Sequence, residues 1–479
     1  MIRVYFDWNI FAYLKQRKES EELYKSIYSI ITKNNNKLLF PYSPAHLQDL
    51  NRGFSKSEKA KEHTYSDLEF IQEISQDHCL YEDYKEKKVI PSLINPTEYF
   101  KQISEDKTLE EFDFDELFST DSNELTELRE KNLALLKAIP SGINFEQFDS
   151  VPAKYGAIKD IFPNTRMENN FYNLMKDVMK VMSQPEKHSK IYKSVRNSSI
   201  EDMKIDTDPT NWGNAFDYLD KVLAKTKLNQ TFREMVESNL KVTHKDKKLS
   251  RFDYFVNYYI SLDTYGYYRD KALPNLIDDA THAYYGAYCD FFVTDDDNTY
   301  HKAKAVYEYL NIETKVCKAS EFPATFYSII QLGNDNVTES ISNRIVQIIR
   351  QSLILMNSVD DELNPVSVHK INQPLVDYFN RMQISYYNDS TVLSFYKKRD
   401  NYSDFMFWRE IKSVVDKIVF DFGVDDKLKG DFNEQDKEQL KEDKNWNGRI
   451  WKRNEITTDI VYNDEPFGLT LRVKIDKND

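Results

Sequence analysis

Glycine is scarce in this chain, 11 in 479 residues, and none falls in a GxGxxG or GxxxxGKS/T loop. The backbone amides that cradle nucleotide phosphates in such loops are therefore missing, which removes dinucleotide-binding and P-loop readings. Cysteine is rarer still. Cys79, Cys289 and Cys317 are odd in number and lack CxxC spacing, which argues against a disulfide frame or zinc ribbon and fits small buried hydrophobes in a reducing compartment. No apolar run nears the ~18 to 20 residues that span a bilayer. The strand-like segment at residues 2–6 leaves no room for a leader ahead of it. A cytoplasmic protein without a membrane segment is expected.

Positive charge is also in deficit, with 65 Lys and Arg against 79 Asp and Glu and a formal net charge of −14. A nonspecific nucleic-acid binder normally carries a basic face, although acidic stretches such as 104–130 can be segregated from a local basic groove. What the chain has in plenty is bulky packing material, 32 Tyr and 29 Phe. Its length exceeds what one hydrophobic core usually organises, so several domains or one domain with large insertions are expected.

Hydrophobic spacing divides the chain. Residues 1–52 read as strand, helix, strand, helix: an apolar run at 2–6, helical spacing at Ile10, Phe11 and Leu14 and again at Leu23, Ile27, Ile30 and Ile31, then a run from Leu38 after an Asn-rich turn. Residues 53–250 read as an α-helical insertion. Its stripes are Leu68, Ile71, Ile74 and Leu80; a helix over 125–139 behind Asp121 and Glu124; Phe171, Leu174, Met175, Val178 and Met182; and Phe216, Leu219, Val222 and Leu223. The α/β pattern resumes over 251–322, with helices near 254–268 and 275–288, a strand at 291–294, a helix at 300–310 and a short strand at 314–317. A helical region is expected over 323–424, its clearest member at 341–356. A charge-rich solvated segment and a β-hairpin, the latter from period-2 alternation at Leu469, Leu471, Val473 and Ile475, are expected over 425–479.

Acids follow these strands. Asp7 ends the first, Asp49 lies one turn into the helix after the second, Asp279 lies on the helix before the late strand, and Asp295-Asp296-Asp297 follow it directly. In an open parallel sheet, residues just beyond the strand ends converge on one crevice. Carboxylates gathered there repel one another, and a cation held by oxygen ligands relieves that. Each acid also has a plainer reading, since Asp caps helices and sits on surfaces.

These residues resemble the PIN-like nuclease domains. Asp7-Trp8-Asn9 matches the family's opening Asp-x-Asn. Asp49 within Ser43-Pro44-Ala45-His46-Leu47-Gln48-Asp49 matches its second acid. Asp279-Ala280-Thr281-His282 followed by Phe291-Phe292-Val293-Thr294-Asp295-Asp296 matches its third acid, core strand and Thr-x-Asp. The resemblance covers about the first fifty residues and 251–322. The second acid is Asp where the family often has Glu, the insertion after Asp49 is unusually long, and Asp278 or Asp295 can substitute for its neighbour.

The resemblance implies an α/β fold: a parallel-sheet core with helices on both faces, the insertion, and a mixed helical and hairpin C-terminal region. It implies a metal-dependent endoribonuclease, with Mg2+ or Mn2+ held by Asp7, Asp49, Asp279 and Asp296, and with Asp295 as a further ligand. Substrate contacts would come from Asn9, Thr294 and His282 and from the cations Arg52, Lys302 and Lys304, which lie within one or two helical turns of the acids. RNA is the expected partner, and a protein partner or second copy would use the helical insertion. Large accessory segments suit a bacterial stress-response or phage-defence nuclease. Two rivals remain: a scaffold of the same fold without turnover, and a phosphatase with Asp7 as nucleophile, against which stands Asn9 where a second Asp is usual.

Overall fold

The computed structural model describes residues 1–54, 57–83, 87–105, 137–138, 163–170, 172–177, 185–226, 229–243, 249–334, 340–398, 406–442, 445–463 and 468–477. The apolar run at the start forms strand β1 (Ile2–Phe6), nearly wholly buried, as a strand covered on both faces of a parallel sheet must be. β2 (Leu38–Leu39) pairs with it in parallel. A separate antiparallel hairpin, β3 (His78–Asp83) and β4 (Lys88–Leu93), comes next in the chain. β5 (Phe291–Val293) and β6 (Lys315–Cys317) then complete a four-stranded parallel sheet of order β2-β1-β5-β6.

Register decides what meets at its rim. Val4 pairs with Phe291, Tyr5 with Phe292 and Phe6 with Val293, so β1 and β5 end level. The Asp7 N–H donates to the Val293 carbonyl and the Thr294 N–H to that of Cys317, both at 3.1 Å. Side chains alternate between faces. Tyr5, Leu39 and Phe292 enter a core with Phe255, Tyr259, Ala283 and Val306. Val4, Phe6, Phe291 and Val293 enter another with Ile10, Ile27, Ile30 and Phe322. Helices thus cover both faces: Arg251–Thr264, Leu273–Gly286 and Asp297–Tyr309 on the first, and Trp8–Arg17, Glu22–Lys33 and Phe322–Asn334 on the second. Gly286 lets its helix approach β5 closely, because a Cβ there would stand 2.8 Å from the Phe292 ring.

Residues 53–250 are not wholly helical. The Glu58–Ser75 helix stops at Gln76, which takes a left-handed conformation at φ 50°, and Leu80, expected on its stripe, lies in β3. Further helices span Pro96–Glu105, Pro185–Met203, Ala215–Leu223 and Phe232–Thr243. The expected helix over 125–139 lies, but for 137–138, outside the described residues, as do Phe171, Val178 and Met182 of the next stripe.

The larger correction concerns 323–424, expected to be helical. It holds four strands, β7 (Leu353–Val359), β8 (Pro365–Leu375), β9 (Phe379–Tyr386) and β10 (Ser390–Tyr396). With β11 (Asn445–Arg453), β12 (Ile456–Asn463) and β13 (Gly468–Asp476) they build a seven-stranded antiparallel sheet of order β11-β12-β13-β10-β9-β8-β7. The helix expected at 341–356 ends at Gln351, and Ser352 is already extended. The apolar run 353–356 has no period that separates helix from strand. The expected terminal hairpin is β12 and β13, one corner of this sheet; its turn residues 464–466 lie outside the described residues. Ile345, Ile348, Val414 and Ile418, from helices Ile341–Gln351 and Trp408–Phe422, pack with Phe379, Phe395 and Leu471 in a third core. The charge-rich stretch of 425–444 is more than solvated, since Asp425 and Asp436 are buried. Among the described residues no helix is long and apolar enough to cross a membrane.

Candidate metal centre

Asp7 caps the Trp8–Arg17 helix, Oδ1 accepting from the Ile10 N–H at 3.1 Å, while Oδ2 accepts from the Thr294 hydroxyl. The same hydroxyl accepts the Asp296 N–H at 3.2 Å. One threonine thereby ties the acids that follow β1 and β5. Asp296 caps the Asp297–Tyr309 helix through the Thr299 N–H at 2.8 Å. The capping role available to each acid from sequence is realised, and it leaves part of each carboxylate for other work.

The acids that converge most closely are Asp270, Asp279 and Asp296, each offering one oxygen within 4.8 Å of the others. Asp270 belongs to no expected site. It follows the Arg251–Thr264 helix and is bound by the Lys302 ammonium and, at 3.1 Å, by the Asn298 amide. Lys302 also reaches Asp263 at 3.3 Å, and Asp263 takes Arg196 at 2.6 Å. Asp263 and Asp270 therefore face two cations. Asp279 has no such partner: among the described residues neither a hydrogen bond nor an ion pair reaches its carboxylate. Burial, reinforced by Asp270 and Asp296, pushes its pKa well above the carboxylate range. Burial likewise raises Asp7 to about 6 against the opposing pull of Thr294.

Asp49 stands apart from this trio. Its Oδ2 meets His282 Nε2 at 2.9 Å, and His282 Nδ1 meets the Tyr5 hydroxyl at 3.0 Å. That hydroxyl lies 2.6 Å from Ser43 Oγ. His46 closes the network, Nε2 facing the Phe6 carbonyl at 2.8 Å and Nδ1 accepting the Ser43 N–H at 3.1 Å. Burial drives His46 down to about 3, so it is neutral. Burial alone would lower His282 and raise Asp49, yet their mutual hydrogen bond and attraction prevail, raising His282 and lowering Asp49.

Several expected substrate contacts have other work here. Lys302 is fully buried on Asp270 and Asp263, because a cation on the inner side of a packed helix must neutralise an acid. Thr294 is fully buried and positions Asp7 and Asp296. His282 is buried and holds Asp49. Arg52, half exposed, pairs with Asp278, which burial raises to about 6. Asp295 is turned to the Tyr24 hydroxyl at 3.1 Å and the Ala319 N–H at 2.9 Å. Asn9 is exposed on the first turn of its helix.

Asp263 left a signal in the sequence: an acid among Tyr258, Tyr259, Leu262 and Tyr265 sits on a buried stripe and demands a partner. Asp270, in a turn, left none. An all-carboxylate donor set with one half-buried, unpaired member suits a hard cation such as Mg2+ or Mn2+. Comparison with family models, with characterised proteins and with solved structures finds no match to this chain.

Proposed function

We propose that this chain is a metal-dependent ribonuclease of PIN-like fold, using Mg2+ or Mn2+ at the rim of its parallel sheet. The observation that carries the reading is the meeting of Asp270, Asp279 and Asp296 within 4.8 Å, with Asp279 unpaired, next to the strand ends of β1 and β5. Asp279 and Asp296 would hold the ion, and Asp7 is joined to Asp296 through Thr294. A bound ion of this kind acidifies water and neutralises charge on a phosphodiester. With its carboxyl at about 6, Asp7 is suited to accept a proton near neutrality. The exposed Asn9, two residues after Asp7, and Arg52, paired with Asp278, would meet the sugar-phosphate backbone.

The test pairs calorimetry of Mn2+ binding with cleavage of mixed RNAs. Wild type should bind and cleave, Asp279→Asn and EDTA should abolish both, and cleavage untouched by either would end the proposal. A second reading, a scaffold of this fold without turnover, draws support from the Lys302 ammonium already seated on Asp270. It is favoured if no Mn2+ binds at millimolar concentration.

A further inference from the structure

β7 is the last strand of the seven-stranded sheet and, among the described residues, is hydrogen-bonded to β8 on one side only. All seven of its residues, Leu-Ile-Leu-Met-Asn-Ser-Val, are exposed. Leu353, Ile354, Met356 and Val359 are each more than half exposed, at 60%, 55%, 53% and 57%. Chains usually guard such an edge with lysine, proline or a covering element, and this strand carries neither lysine nor proline, only one bulge between Ile354 and Met356. On the preceding helix Val346 and Ile349 are exposed as well.

We propose that β7 pairs antiparallel with β7 of a second copy, fusing two sheets across a two-fold axis near Met356. The open backbone edge calls for an extended strand as its occupant. Charge selects which strand and in which direction. Arg344 and Arg350 precede β7, whereas Asp360, Asp361 and Glu362 follow it. Antiparallel pairing sets the acidic turn of each copy against the arginine end of its partner; parallel pairing would set acid against acid. Within the strand Leu353 faces Val359, Ile354 faces Ser358 and Leu355 faces Asn357, so no like charges meet. In a chain of net charge −14, whose copies repel over most of their surface, an uncharged self-complementary edge is where association is least opposed. A contact of this symmetry closes on itself as a dimer. Self-association is thereby assigned to the C-terminal sheet rather than to 53–250.

Sedimentation of the full chain at micromolar concentration tests this. Wild type should sediment at twice 56.8 kDa. Met356→Lys, which opposes like charges at the axis, should raise the dimer Kd at least ~100-fold with an unchanged circular dichroism spectrum. Arg350→Glu should raise it ~10-fold, and adding Glu362→Arg should restore it. A monomeric wild type, polymers that keep growing with concentration, or a dimer indifferent to both Met356→Lys and Arg350→Glu overturns the proposal.

Discussion

Glu410 and Asp436, buried beside the antiparallel sheet, are each matched by an arginine, whereas Asp7 and Asp279 at the rim of the parallel sheet have no cation bound to them among the described residues. Glu410 takes Arg3 through two hydrogen bonds, at 2.8 and 2.7 Å, and both side chains are fully buried where the Trp408–Phe422 helix meets β1. Burial would raise Glu410, but Arg3 holds it down at about 2. Asp436 is likewise held by Arg449 at 2.6 Å and by the Trp446 indole at 3.1 Å. Asp279 and Asp7 have burial without a cation bound to them, and both are pushed up. Among the described residues Asp279 is the one member of the converging trio whose carboxylate no hydrogen bond or ion pair reaches, and it is the counterpart to these matched pairs.

The contrast can be broken most sharply at Glu410. Glu410→Ala should cost about 3–5 kcal/mol in denaturant unfolding, because it strands Arg3 in the interior. Asp279→Asn should instead leave stability unchanged or raise it by up to about 1 kcal/mol without metal, since burial already opposes ionisation of this unpartnered carboxyl. Equal losses in the two variants would erase the distinction.

Mn2+ at a hundredfold excess over its Kd should stabilise the wild type by about 2.7 kcal/mol in thermal unfolding. The gain should vanish in Asp279→Asn and persist in His282→Gln. The smallest effect concerns pH. His282 is raised above 6.5 and Asp49 lowered below 3.8 in the folded chain. Their pair therefore contributes in full between those values, fades as pH rises through the folded pKa of His282, and fades again as pH falls through that of Asp49. A stability profile should show this dependence, and it should be flattened in His282→Gln.

Much of the α/β core was readable. β1 and β5 are short apolar runs closed by Asp7 and by Thr294-Asp295-Asp296, and strands buried on both faces leave that trace in any single sequence. The antiparallel sheet was readable only at β12 and β13, where alternation is clean. The first four residues of β7 are apolar on both faces, so no period marks it as a strand.

At the rim the division is finer. Local order along the chain determined that Asp7 and Asp296 follow parallel strands and cap the next helices, because capping needs only neighbours a few residues away. Tertiary packing decided that Asp270 rather than Asp49 joins Asp279 and Asp296, that Asp49 goes to His282, and that Lys302 turns inward to Asp263 and Asp270. Those choices depend on charges distant in sequence being desolvated together, and the energy of a buried charge is set by what surrounds it in space.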